Sequence, residues 1–342
     1  MKNELEVITI RKKLCVVLLL IVMLLSSTTG CNNTTVNNNK STKVSDLSKL
    51  ELSDDNMVKT IQEISTHPRA VNTEQIKEVE EYLIKQFQSY GYTKIDKQQF
   101  FYNNGNNENA IRRSSQADIY LAPTADSTDA DGVGNNIIVT KRAEDTTNEL
   151  ILSAHFDSTE NSYGVNDNAS GVAVVLELAR VLSDIDLPYN VKFIMFSGEE
   201  KYMLGSRWYV NTLSEEERKI IIGVINIDTI AEKSNLGYML MLHGDKKIEN
   251  NQYTEEDLKR LADANKNSIS ELFEDENRFI PTMAMNSDHY PFSLVGIPAV
   301  SIVQDWKDGI NANSSEDVFE KIDADRLHEI ALKVLEILPH IS

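Results

Sequence analysis

The chain has 342 residues, 41% hydrophobic and 25% charged, which suits a folded protein with a sizeable core and excludes a disordered or fibrous chain. Its formal charge of −19 argues against a nucleic-acid partner, since phosphate backbones are bound by clustered lysine and arginine. Both cysteines fall within the first 31 residues. The rest of the chain therefore has no disulfide to lean on, and any metal must be held by nitrogen and oxygen donors.

Residues 1–30 read as a signal peptide of the lipoprotein type. Arg11-Lys12-Lys13 precede an apolar run from Leu14 to Leu25, short for a bilayer-spanning helix, which needs about 20 residues. Ser26 to Gly30 then lead to Cys31. The arrangement resembles the bacterial lipoprotein processing site, although Thr28 stands where leucine is usual. Cys31 is the expected point of lipidation, which implies a membrane anchor and a location on the outer face of the bacterial cell membrane. Residues 31–48 read as a flexible tether, because the segment from Asn32 to Lys43 lacks apolar content.

From residue 49 to 342 the pattern is that of one α/β domain. Helices are expected from about Asp54 to Ser65 and from Thr73 to Tyr90, the second stopped by Gly91. A strand follows over 93–101, and the polar stretches 103–109 and 124–136 read as loops. Strand-like runs recur at Ile137-Ile138-Val139, Leu150-Ile151-Leu152, 191–196 and 220–225, with an apolar helix pattern over 171–182. Later come a strand at 237–242, a helix at about 254–266, a strand at 299–303 and a helix over 324–338. Strands rich in Ile, Val and Phe alternating with helices predict a mostly parallel or mixed central sheet covered by helices on both faces. Residues 102–135 and 229–285 are the likeliest excursions from it.

Acidic segments stand where these apolar runs stop. They are His155-Phe156-Asp157, Asp167-Asn168-Ala169-Ser170-Gly171, Glu199-Glu200 after Ser197-Gly198, and Asp228 after Asn226-Ile227. In open α/β sheets ligands bind beyond the carboxyl ends of the strands. Several carboxylates and an imidazole delivered to one such edge repel and desolvate one another unless divalent cations reverse the balance. The pattern predicts a metallohydrolase.

In order and spacing these segments resemble the two-zinc aminopeptidases of the exported bacterial type, whose relatives include glutaminyl cyclases and some non-catalytic receptor ectodomains. Ser287-Asp288-His289-Tyr290-Pro291-Phe292 and Gly296-Ile297-Pro298-Ala299 continue the likeness, which spans about residues 135–320. The resemblance implies a zinc-exopeptidase fold and two divalent metal ions, zinc first among candidates. It implies Asp167 as the bridge between them, His155 and Asp228 on one site, Glu200 on the other, and Glu199 as the general base. Adjacent side chains point in different directions, so one glutamate can bind metal while the other faces the water. Asp157 is expected to orient the far nitrogen of His155. Asp288 and His289 are expected behind the ligands or against substrate.

One position departs from the family. The last histidine ligand, four residues before an aspartate, falls on Asn313, ahead of Asp317. A neutral amide is a poorer zinc ligand than imidazole. That site is expected to hold metal weakly or prefer another ion, unless His289 or His243 swings in. The leading expectation is an aminopeptidase acting on peptides with a free N-terminus. The alternatives are a glutaminyl-cyclase-like enzyme and a catalytically impaired surface binding homologue.

Overall fold

Short runs of Ile, Val, Leu and Phe become the parallel centre of one sheet. The computed structural model describes residues 46–103, 127–242 and 254–342, apart from 274, 276, 285 and 308. The signal segment, Cys31, most of the tether, His243 and residues 104–126 lie outside the described residues. Eight strands run in chain order as β1 (Ile95–Tyr102), β2 (Gly132–Lys141), β3 (Glu149–His155), β4 (Asn190–Phe196), β5 (Ile221–Ile227), β6 (Tyr238–Leu242), β7 (Phe279–Met283) and β8 (Ala299–Gln304). Their order across the sheet is β1-β2-β4-β3-β5-β8-β6-β7. Neighbours among β4, β3, β5 and β8 are parallel, while β2 joins β4 and β6 joins β8 antiparallel. The sheet is mixed, with a parallel heart.

The helices are α1 (Asp54–Ile64), α2 (Glu74–Ser89), α3 (Gly171–Leu182), α4 (Leu204–Thr212), α5 (Glu215–Ile220), α6 (Glu255–Asp263), α7 (Tyr290–Leu294) and α8 (Ala324–Ile337). Ser53, Thr73 and Asp323 cap α1, α2 and α8 by accepting backbone N–H groups in the first turn, satisfying donors that a helix start leaves unpaired. Alternation along the strands feeds two cores. Leu150, Leu152 and Ala154 of β3 pack with Val175 and Ala179 of α3 and with Leu327 and Val334 of α8. Ile151, Ile194 and Val224 on the opposite face pack with Tyr209 and Val210 of α4 and Phe292 of α7. Each large apolar side chain so buried contributes about 1.5–3 kcal/mol. Helices thus cover both faces, as the composition of the strands requires.

The stretch 229–285 supplies β6 and β7 to one edge of the sheet, so this part of the expected excursion is integral to the fold. β7 escapes a sequence reading because Pro281 interrupts it. Proline is tolerated in a sheet at the edge, and β7 is the edge strand, paired with β6. Glu215, Glu216 and Glu217 form the first turn of α5, with a capping box at Ser214. Among the described residues, no helix is long and apolar enough to cross a membrane.

Candidate metal centre

Register alone brings two of the expected ligands level. Ser153 of β3 pairs with Asn226 of β5, so His155 and Asp228, each two residues on, leave adjacent parallel strands at the same height. β4 ends beside them, with Phe196 opposite His155, and the chain then turns through Gly198, at φ 76°, into Glu199 and Glu200. His155 Nε2 lies 3.2 Å from Asp167 Oδ1 and 3.3 Å from Asp228 Oδ1. His155, Asp167 and Asp228 offer donor atoms that all lie within 4.8 Å of one another, and all three residues are buried.

Asp167 comes from the turn Val165–Ser170 that precedes α3, and that turn is fixed from three sides. Asp317 accepts the backbone N–H groups of Asn166 and Asp167 at 2.7 and 3.1 Å. Asn168 donates to Ile227 O at 2.9 Å and accepts from the N–H groups of Gly171 and Thr229, bolting the turn to the end of β5. Arg69, fully buried, donates to Phe156 O at 2.6 Å and Gly164 O at 2.7 Å, and also to Tyr163 O. One guanidinium therefore ties the His155 loop to the Asp167 loop. Sequence reasoning assigned no role to Arg69 or Asn168. Asn168 lay inside a recognised motif, whereas Arg69 sits 86 positions before His155 and carried no local signal.

Asp228 is held by Ser287 Oγ at 2.6 Å and Thr229 Oγ1 at 2.9 Å. Two residues below it, Asn226 accepts from Ser153 and donates to Ser287 and Ser301, a buried polar network that fixes the rotamers of the strand ends. Asp157 serves the glutamate turn as well as the imidazole. Its carboxylate accepts the backbone N–H groups of Glu199 and Glu200 at 3.1 and 3.2 Å. His155 Nδ1 lies 3.2 Å from the Asp157 carbonyl oxygen but 3.6 Å from its carboxylate. Asp157 thus lies against the imidazole through its carbonyl and its carboxylate, while the same carboxylate holds the glutamate turn.

The charge balance of the bare protein shows what the cluster lacks. Burial, with Asp167 next in effect, pushes the Glu200 carboxyl up to about 9. Burial raises Glu199 far above the usual range, and Asp228, Glu200 and Asp288 add to this against His155. Asp288 is pushed up to about 7, chiefly by burial. Burial opposes protonation of His155, yet Asp228 and the hydrogen bonds to three aspartates raise it well above the ordinary value. Glu200 Oε1 is buried without a hydrogen-bond partner among the described residues. A carboxylate oxygen in that state, beside a His–Asp–Asp set, fits the oxygen and nitrogen chemistry of a divalent cation such as zinc.

The remaining candidates divide. Asp288 is buried, accepts from Ser206 Oγ at 2.5 Å, and keeps Oδ2 without a partner among the described residues. His289 Nε2 donates to Ala284 O at 3.1 Å, bracing the segment before it. Asn313 is exposed, at φ 59° in the left-handed region that asparagine tolerates. Asp317, four residues later, is buried and holds the Asp167 turn.

Residues 136–338 match the profile of Peptidase family M28. Aminopeptidase YwaD of Bacillus subtilis (strain 168) is 32% identical over 189 residues, 53% of this chain and 38% of that protein. The chain thus spans well under half the length of this curated relative. Among solved structures, an aminopeptidase from Aneurinibacillus sp. strain AM-1 superposes with a TM-score of 0.67 at 20% identity, covering 86% of this chain and 95% of the other. The glutaminyl cyclase of Porphyromonas gingivalis gives a TM-score of 0.60 at 20% identity, covering 84% and 98%. At such identities these two likenesses speak for the fold.

Proposed function

The chain belongs to peptidase family M28, and on that premise we propose that it is a metal-dependent aminopeptidase removing residues from the free N-terminus of peptides. The observation that carries this reading is the buried trio of His155, Asp167 and Asp228, with a Glu200 oxygen in the same acidic cluster that has no partner among the described residues. In the proposed site one divalent ion would be held by His155, Asp167 and Asp228. A second would share Asp167 and take Glu200, with the Asn313 segment as its weak side. Such a pair of ions lowers the pKa of a shared water and polarises a scissile carbonyl.

The side chains supply the rest. Glu199 takes the proton of the attacking water and hands it to the departing amine, a role worth about 10²–10⁴ in rate. Its surroundings suit that task, since burial and neighbouring carboxylates raise its proton affinity. Asp157 fixes the turn that aims Glu199 and Glu200 apart. The test is hydrolysis of aminoacyl 4-nitroanilides by purified protein supplied with zinc, cobalt or manganese. Activity lost on chelation and restored by metal supports the reading, and silence towards every aminoacyl and peptide substrate sinks it. Cyclisation of an N-terminal glutaminyl peptide without hydrolysis would transfer the assignment to a glutaminyl-cyclase-like reaction.

We also propose export and anchoring through a lipid on Cys31, supported by the basic, apolar and small-residue order of residues 11–31. Replacing Cys31 by serine is expected to release the protein from the membrane fraction of a bacterial host. Retention in that fraction would refute the anchor.

A further inference from the structure

We propose that a cavity beside β6, β7 and β8 receives the side chain of the substrate's N-terminal residue, and that Asp305 makes it select lysine and arginine. The inference rests on the aminopeptidase reading and names its substrate class. The cavity encloses about 680 Å³, within the range of small-ligand sites, about 300–1,000 Å³. Met239, Ile280, Met283 and Trp306 give it apolar walls. Glu256, Lys259 and Lys307 also line it and are exposed, whereas Asp305 is only 5% exposed.

The cavity opens on the same sheet face as the metal cluster. Ser301 pairs with Asn226, and Met241 pairs with Ser301, so Met241, Met239 and the Ile280 opposite Met239 share the face of Asn226 and Asp228. Two covalent tethers connect the places. Ala284 lines the cavity, and Ser287, three residues later, grips Asp228; three residues span at most about 11 Å. Gln304, the neighbour of Asp305, accepts from Asn166 Nδ2 at 3.3 Å, next to Asp167. These tethers set the cavity on the cluster's side of the sheet, where the first side chain of a peptide whose first carbonyl lies at the cluster is proposed to sit.

Asp305 is the feature that sets the preference. Its hydrogen bond comes from the backbone N–H of Lys307 at 3.0 Å, and among the described residues no lysine or arginine forms an ion pair with it. A buried carboxylate without a counter-charge is costly. A lysine or arginine side chain answers both parts of the cavity, laying its methylene stem along Met239 and Ile280 and bringing its cation to Asp305. A leucine or phenylalanine would cover that carboxylate and leave it unpaired.

The test compares kcat/KM of the full chain, supplied with zinc, on Lys-, Arg-, Leu- and Ala-4-nitroanilides. Asp305→Asn keeps the shape and the Lys307 contact, and is expected to lower the Lys-to-Leu ratio at least fivefold, mainly through KM for the lysyl substrate. Thr282→Phe, which fills the cavity from β7, is expected to lower the Lys-to-Ala ratio by a similar factor. A Lys-to-Leu ratio that changes less than fivefold in Asp305→Asn overturns the inference while leaving the aminopeptidase intact. Should every substrate prove silent, the parent reading fails, and calorimetric binding of L-lysinamide and L-leucinamide decides the cavity alone. Tighter lysinamide binding that Asp305→Asn abolishes supports it, and equal binding of the two amides overturns it.

Discussion

Glu199 and Glu200 leave the same turn into different surroundings, and that difference assigns them different losses. Glu199→Gln keeps size and backbone contacts but removes the proton acceptor. It is expected to cut kcat by about 10²–10⁴ with bound zinc unchanged by elemental analysis. Loss of metal together with activity would contradict the role. Glu200→Gln should instead lower metal content, because its buried Oε1 has no other partner among the described residues. Asn313 stands at the proposed weak side of the second ion's site, so Asn313→His is expected to raise zinc bound per chain and the rate on an aminoacyl substrate together. Unchanged stoichiometry in that variant would show that position 313 does not limit the site.

At the scale of elements, α3 carries the Asp167 turn to the end of β5 with almost no clearance. A Cβ on Gly171 would collide with Ile227 O and the Asn168 side chain. Gly171→Ala is therefore expected to cost about 1–3 kcal/mol from overpacking and to weaken metal binding, because the same shift moves Asp167 away from Asp228. A variant with wild-type melting temperature and zinc affinity would refute that coupling. The helix itself was readable from the apolar spacing of 171–182, and the strand ends carrying His155, Glu199 and Asp228 from the acidic residues that close apolar runs. What periodicity could not supply was long-range. Arg69 reaches Phe156, Tyr163 and Gly164 from a segment with no pattern of its own. The Asp157 carboxylate also holds the backbone of Glu199 and Glu200 besides lying against the imidazole, a second partner that only packing reveals. β7 stayed hidden because an edge strand tolerates the proline that argues against a central one.

For the whole molecule, the acidic centre links folding to metal and to pH. A carboxyl whose folded pKa exceeds its unfolded value binds protons more tightly in the folded state, so stability falls as pH rises between the two values. Glu200, pushed up to about 9, Asp288, to about 7, and Asp317, to about 6, each chiefly by burial, all act in that direction above pH 5. His155 adds the same sign, because Asp228 and its other aspartate neighbours outweigh burial and raise it, and its stabilising charge is lost as pH climbs through the folded value. Asp228 is held below the usual range by His155 and its hydroxyl donors, against burial, so its opposite contribution is confined to more acid solution. Metal-free protein is thus expected to melt at progressively lower temperature from pH 5 to pH 9. Zinc reverses this by replacing protons with a cation. At a free concentration 1,000-fold above its Kd it adds about 4 kcal/mol, a rise on the order of 10 °C at about 2–4 °C per kcal/mol. Because binding must displace the protons on Glu200 and His155, the zinc-induced shift should grow with pH over the same window. Calorimetric scans of chelated and zinc-loaded protein at pH 5, 7 and 9 measure both slopes. A metal-free melting temperature that rises with pH, or a zinc shift that shrinks with it, would break the link between the buried carboxylates and the ion.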